Sequence, residues 1–311
     1  LQAAVRLNIF SVLGKKNNAA EEIALKIGSD GTATALLLDA LTAMGLLVKD
    51  QDSYRNTDFA LQFLDDSSPQ YMGYIILHHH HLLDGWAQLD DVVLSGEPVQ
   101  RRSYGQDVER ESFLMGMFNL AMQVAPEVAM QVDLSGRAKL LDLGGGPGTY
   151  AIHFCKANPD LKAVIFDRET TAPFAEKTVG TFGLGDRIDF VSGDFNKDQI
   201  SGGPYDVIWL SHVLHSNTYD ECCALIAQCV GLLESGGLIL IHDFILDDKK
   251  DGPEFPALFS LNMLLAGTGG RAYSQQEIFD MLKNAGLKNP ERHSFNAKND
   301  SSIIYGIKDH V

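Results

Sequence analysis

Three scarcities in this chain each exclude a class of function. No apolar run in its 311 residues approaches the roughly 20 needed to span a membrane, and no signal-peptide pattern opens it. Cysteine is confined to Cys155, Cys222, Cys223 and Cys229, three of them on one predicted helix, without metal or disulfide spacing. Such usage points to reduced thiols in the cytoplasm. Cations are few: 25 Lys and Arg stand against 41 Asp and Glu, and the net charge of −16 is the wrong sign for a phosphate-binding surface. Neither a membrane nor a nucleic acid is therefore expected as a partner. An initial Met is also missing, so the chain reads as lacking its natural start.

What is present is an ordinary globular composition, 45% hydrophobic and 21% charged, in a chain long enough for two domains. Its sharpest local feature is "LLDLGGGPGTYAIHF" at 140–154, where Gly144, Gly145, Gly146 and Gly148 follow a short apolar run. The run Lys139–Leu143 reads as a buried strand and Tyr150–Ala157 as the helix after it. Glycines between them allow positive φ and remove Cβ, so a ligand can lie against the main chain at the helix N-terminus. Gly146 to Ala151 fits the loose dinucleotide fingerprint G-x-G-x-x-A, and Asp167 in "AVIFDRE" ends the next strand, suited to binding ribose hydroxyls. The fingerprint alone admits a nicotinamide cofactor or another adenosine-bearing ligand.

The chain divides into three parts. Residues 1–66 carry helix, turn and helix ("AAEEIALKIG", "SDGT", "ATALLLDALTAMG") and a hairpin around Asp50–Asp52, the pattern of a winged helix-turn-helix. Its would-be recognition helix, Thr32–Met44, has no Lys or Arg and is mostly apolar. It suits contact with protein, a second copy of the chain, better than a DNA groove. Residues 67–135 read as helices, with apolar and aromatic residues at helical spacing. Residues 136–311 alternate strands and helices, with strands at Lys139–Leu143, Lys162–Phe166, Ile188–Val191, Tyr205–Leu210 and Gly237–Ile241. That alternation means an α/β fold with a doubly wound parallel sheet. The last pair, near Glu291–Phe295 and Ser302–Ile307, is joined by "NAKND", too short for a crossover helix, and so pairs antiparallel.

With these features the chain resembles the S-adenosylmethionine-dependent small-molecule O-methyltransferases that carry an N-terminal winged-helix dimerisation domain. The likeness spans nearly the whole length. It rests on "LLDLGGGPG", "VIFDRE", "VSGDFNKD", "VIWLSHVLHSNTYDECCALIAQCVGLLESGGLILIHDFILDD" and "LFSLNMLLAGTGGRAYSQQEI", in that order. It implies the class I methyltransferase fold, S-adenosylmethionine as cofactor, a homodimer, and methylation of a hydroxylated aromatic or polyketide-like small molecule of secondary metabolism. The implied cofactor residues are Asp142, Gly144, Gly145, Gly146, Gly148, Asp167, Arg168, Asp194, Phe195 and Ser211. Asp194 would hold the adenine amino group, with Phe195 against the ring face.

The resemblance makes His215 the general base. A phenol of pKa about 10 is a poor nucleophile at neutral pH, and an imidazole of pKa about 6.5 can take its proton as the new bond forms. Asp243 is implied to orient that base. Two positions depart from the family: Ser216 stands where an acid commonly follows the catalytic histidine, and Ala272 where a glutamate follows the Gly269–Gly270 pair. These departures keep open a member that retains the cofactor for decarboxylation, hydroxylation or C-methylation.

The likeness also lays two helical stretches over the methyl acceptor. Met115, Phe118, Met122, Phe259, Asn262 and Met263, together with His212, are thereby expected to line it. Flexible thioethers suit a flat aromatic molecule. His212 is also the rival of His215 as base, nearer the strand end. The run "HHHH" at 78–81 is not expected to bind metal, because consecutive helical residues point about 100° apart and cannot converge on one ion. No metal is expected.

Overall fold

The computed structural model describes residues 1–98, 103, 105–297 and 299–309. Two compact units divide the chain: Leu1–Asp84 with Arg102–Leu120, and Gly85–Arg101 with Ala121–Val311. The helical segment expected at 67–135 is therefore shared between the units rather than standing as a part of its own. Its residues 99–102 and 104, like 298 in the "NAKND" linker and 310–311, lie outside the described residues.

The first unit holds helices α1 (Gln2–Arg6) and α2 (Ile9–Leu13), strand β1 (Asn18–Ala19), helices α3 (Ala20–Ile27) and α4 (Gly31–Ala43), and the hairpin β2 (Leu47–Asp50) and β3 (Ser53–Asn56). Helices α5 (Asp58–Phe63) and α6 (Gly73–Trp86) follow. Asp30 starts α4 by accepting from the Ala33 N–H at 2.8 Å, which satisfies one of the free amides of the first turn. Ile9, Phe10, Leu13, Ile23, Leu38 and Leu41 close this unit's core. The four histidines of α6 diverge as the helical geometry requires. His81 is buried with Nδ1 3.2 Å from Ser112 Oγ, whereas His80 meets Arg6 at 3.3 Å.

The long helix α8 (Gln106–Gln131) follows α7 (Leu89–Ser95). Its mean hydropathy of 1.2 over 18 residues makes it long and apolar enough, by length and composition, to cross a membrane. Gly116, Asn119, Gln123 and Glu127 interrupt it, which is why no continuous run stands out in the sequence. Its C-terminal part buries Ala125, Val128 and Ala129 in the core of the second unit.

That second unit continues with β4 (Lys139–Leu143), α9 (Thr149–Ala157), β5 (Lys162–Asp167), α10 (Ala172–Thr181), β6 (Ile188–Ser192), β7 (Tyr205–Ser211) and α11 (Tyr219–Leu232). It ends with β8 (Leu233–Phe244), α12 (Glu254–Ala266), α13 (Gln275–Asn284), β9 (Lys288–Asn296) and β10 (Ser301–Ile307). The sheet order is β6-β5-β4-β7-β8-β10-β9. Strand β10 runs antiparallel to both neighbours, and the first five strands are parallel, as the short final linker requires. Strand β8 begins before the expected Gly237. Backbone pairing such as Gly236 N–H to Lys308 O at 2.8 Å is indifferent to the polar side chains of Glu234 and Ser235.

Side chains alternate across this sheet. Leu140, Val207, Trp209, Leu240 and Ile303 face α8 and α9, while Leu141, Ile208, Leu210, Ile241 and Ile304 face α11 and α13. At the carboxyl ends of β7 and β8 the apolar pattern stops, and Ser211, His242 and Asp243 take over. Open α/β sheets bind their ligands at that edge.

Candidate active site

Beyond β4 the chain turns through Gly144, Gly146 and Gly148 at φ +66°, +54° and +82°. A Cβ on Gly145 would lie 2.7 Å from the Asp142 carboxyl carbon and one on Gly148 would strike Ile165, whereas nothing lies within 4 Å of one on Gly146. The loop is filled from beneath and bare on its open side, a cradle for main-chain contact. Asp142 belongs to the filled side. It is fully buried, one oxygen accepting from the Ala151 N–H at 3.1 Å and the other unpartnered, and burial pushes its carboxyl up to about 7. Asp142 thus occupies the N-terminus of α9, where dinucleotide proteins bind pyrophosphate. A cationic adenosine ligand without phosphate suits this carboxylate-framed loop.

The rim of the cradle is made by Asp167 at the end of β5. Its carboxylate accepts from Gly146 N–H at 2.8 Å, Arg168 N–H at 2.7 Å and Thr171 Oγ at 3.1 Å. Arg168 enters through this backbone bond, its side chain being exposed. Asp194 follows β6 and pairs with Lys197 at 3.1 Å, the ammonium holding its carboxyl below the usual range. Phe195 reaches back to the loop, where a Cβ on Gly144 would come within 3.4 Å of its ring.

The second half of the site follows β7. The short turn Leu214–Ser216 presents His215, whose Nδ1 lies 2.7 Å from Asp243 Oδ1. Burial alone would raise the Asp243 carboxyl, but His215 and His212 hold it well below the usual carboxylate range. The carboxylate therefore fixes the proton on Nδ1 and leaves His215 Nε2 to accept another. His212 sits at φ +57° with its Nδ1 3.6 Å from the same oxygen, too far for a hydrogen bond. Ser216 and Ala272 offer no carboxylate, so Asp243 alone supports the imidazole among the described residues. His212, His215 and Asp243 bring three ligand-type atoms within 4.8 Å, but the 2.7 Å contact is that of a shared proton.

Neighbouring loops clamp this turn. A Cβ on Gly270 would run into the His215 carbonyl oxygen, and the Tyr273 hydroxyl donates to Asn217 O at 2.7 Å. Asn217 in turn accepts from Asn196 Nδ2 at 2.6 Å, which ties the turn to the Asp194 loop.

An aromatic wall stands beside the two histidines. Phe259 of α12 meets the His215 ring edge-on at 4.7 Å, and Phe244 lies 4.5 Å from the His212 ring, 4.7 Å from Phe259 and 4.8 Å from Phe255. Phe244 and Phe255 are absent from the sequence reading, although the place of Phe244 directly after Asp243 was a signal. Of the other expected lining residues, Asn262 is half-buried and Met263 buried on α12, and Met122 Sδ lies 3.4 Å from His153 Nε2. Met115 and Phe118 are on the stretch of α8 that belongs to the first unit. Also unread in the sequence is His242, fully buried between Ser211 and Ser301.

Residues 86–288 match the O-methyltransferase domain family, and residues 1–66 match the O-methyltransferase dimerisation domain. The chain is 32% identical to the 3-hydroxy-5-methyl-1-naphthoate 3-O-methyltransferase of Streptomyces sahachiroi, over 99% of this chain and 91% of that protein. It is 33% identical to the tetracenomycin polyketide synthesis 8-O-methyl transferase TcmO of Streptomyces glaucescens, over 92% of this chain and 86% of that one. The solved structure of PigF with SAH, at 27% identity, superposes with a TM-score of 0.87 over 99% of this chain and 94% of its own. PigF of Serratia sp. carries the name S-adenosyl-L-methionine-dependent methyl transferase.

Proposed function

We propose a function from one premise: the chain belongs to the O-methyltransferase family. It is an S-adenosylmethionine-dependent O-methyltransferase of class I fold, and its acceptor is a hydroxylated, flat aromatic or polyketide-like small molecule. The observation that carries this reading is the buried His215–Asp243 pair, 2.7 Å apart, at the carboxyl edge of the sheet beside three phenylalanines. Bound S-adenosylmethionine supplies a methyl group made electrophilic by its sulfonium.

The residues of this chain do the rest. The backbone of Gly144–Gly148 and the carboxylate of Asp167 hold the cofactor at its methionine end and its ribose, and Asp194 with Phe195 holds the adenine. Phe244, Phe255 and Phe259 hold the acceptor ring flat. His215 Nε2 takes the acceptor's hydroxyl proton, and the buried Asp243 carboxylate stabilises the imidazolium that forms. Orientation of the acceptor supplies much of the remaining acceleration.

Support for the acceptor class comes from the naphthoate and tetracenomycin enzymes among the relatives. The dimerisation domain supports a homodimer, and four unpaired thiols suit the reducing cytoplasm. The basic residues a nucleic acid needs are missing from α4.

The test is a screen of phenols with a labelled methyl donor, followed by His215→Ala on the best acceptor. Turnover should fall by about 10²- to 10⁴-fold with S-adenosylhomocysteine affinity unchanged. Unchanged turnover, or a product with the new methyl on carbon, would defeat the reading.

A further inference from the structure

His242 has no part in the mechanism above, yet it is a fully buried imidazole with both nitrogens engaged. Nδ1 lies 2.9 Å from Ser211 Oγ and Nε2 lies 2.8 Å from Ser301 Oγ. The direction of each hydrogen bond follows from counting protons. Asn299 Oδ1 accepts from the Ser301 backbone N–H at 3.3 Å, which fixes the amide with its oxygen toward Ser301. The same oxygen accepts the Ser301 hydroxyl proton at 2.8 Å. Ser301 Oγ then has only lone pairs to offer His242, so Nε2 carries the hydrogen. Burial keeps the ring neutral, so Nδ1 is bare and the Ser211 hydroxyl must donate to it. With its one proton committed, Ser211 can only accept from its remaining neighbours. Its acceptor lone pairs sit on a half-buried hydroxyl at the carboxyl end of β7, the edge that holds the glycine cradle.

We propose that His242 is a positioning residue of the methyl-transfer site: fixed as the Nε2–H tautomer, it leaves Ser211 an acceptor only, matched to the ammonium group at the methionine end of the cofactor. The proposal rests on the cofactor reading above. It also accounts for a second feature. The His242 carbonyl accepts the His212 N–H at 2.8 Å and the two rings meet edge-to-face at 4.9 Å, so the same residue braces the left-handed turn that leads to the base.

The tautomer is read directly by long-range ¹H–¹⁵N correlation on ¹⁵N-histidine-labelled protein, with His242→Gln assigning the resonances. A protonated Nε2 with a bare Nδ1 is expected; a protonated Nδ1 or a charged ring overturns the proposal. Calorimetry then compares S-adenosylhomocysteine with its analogue lacking the amino group. Ser211→Ala should weaken the first by about tenfold or more, the cost of one hydrogen bond to a charged group, and leave the second unchanged. Ser301→Ala frees His242 to switch tautomer and should act in the same direction, while Ser301→Thr restores the wild-type preference. A merely structural histidine would lower stability without changing the ratio of the two affinities, and equal weakening of both ligands by Ser211→Ala defeats the assignment. If the wild-type protein binds neither ligand, the cofactor reading and the ammonium assignment fall together, whereas the tautomer stands or falls on its own spectrum.

Discussion

At the scale of single residues, two carboxylates in one domain are tuned in opposite directions by what surrounds them. Asp243 meets imidazoles and stays ionised; Asp142 meets one backbone amide and an apolar core, and holds its proton up to about 7. For Asp142 the folded value is raised above the unfolded one, so its stabilising effect is complete below the unfolded carboxyl pKa, about 4, and is lost as pH rises through about 7. Stability of the ligand-free protein should therefore fall by up to about 1.4 kcal/mol per pH unit across that window. Asp142→Asn, which keeps an acceptor for Ala151, should flatten the slope in denaturant titrations run from pH 4.5 to 7.5. An identical slope in both proteins would show that the charge sits elsewhere. That His215 and Asp243 belong together was legible in the sequence only through the family resemblance, carried by "LSHVLHSNTYDEC" and "ILIHDFIL". His242 was not, since its partners are 31 and 59 residues away and only the register of three strands brings them together.

At the scale of elements, the turn bearing His215 is shaped from outside. The contact between Gly270 and the His215 carbonyl leaves no space for a methyl group. Gly270→Ala should displace the base while the sheet and the glycine cradle remain intact, lowering kcat by about 10² or more with little change in S-adenosylhomocysteine affinity. Wild-type kcat in that variant would remove the clamp from the account. The glycine pair is visible in the sequence, but what it touches is not, because the contact joins two loops 55 residues apart in a chain whose periodicity reports only local faces. Strands were legible from apolar runs, and their ends were less so. Strand β8 starts at Leu233, paired with Tyr205, and its register resumes at Leu238 beyond an irregularity that takes in the polar Glu234 and Ser235.

At the scale of the whole molecule, the first unit leaves apolar side chains such as Leu36 on α4, 67% exposed, facing outward. A helix of that composition next to a dimerisation-family match argues for burial against a second copy. Leu36→Glu should weaken self-association by at least tenfold, on the order of 1.4 kcal/mol, as measured by sedimentation, while each chain stays folded. An unchanged dimer would move the interface to another face. Cofactor product should in turn stabilise the protein: at about 100 times its Kd, S-adenosylhomocysteine adds about 2.7 kcal/mol, and a melting temperature that ignores it would contradict the cradle's assignment. The general organisation was readable from the order of motifs. The sharing of the middle helices between the two units was not, since helical spacing says which face is apolar but not which neighbour covers it.

Residues 242 and 243 are consecutive on one strand and so serve opposite sides of the sheet, one wired to Ser211 and the other to the base. Inserting or deleting a single residue in β8 would exchange their duties and disable both at once. From Leu238 to Asp243 the strand is consequently held in length, and the acceptor pocket can change shape more readily through Phe255 of α12, whose ring contacts are with Phe244 and Phe259 rather than with an imidazole.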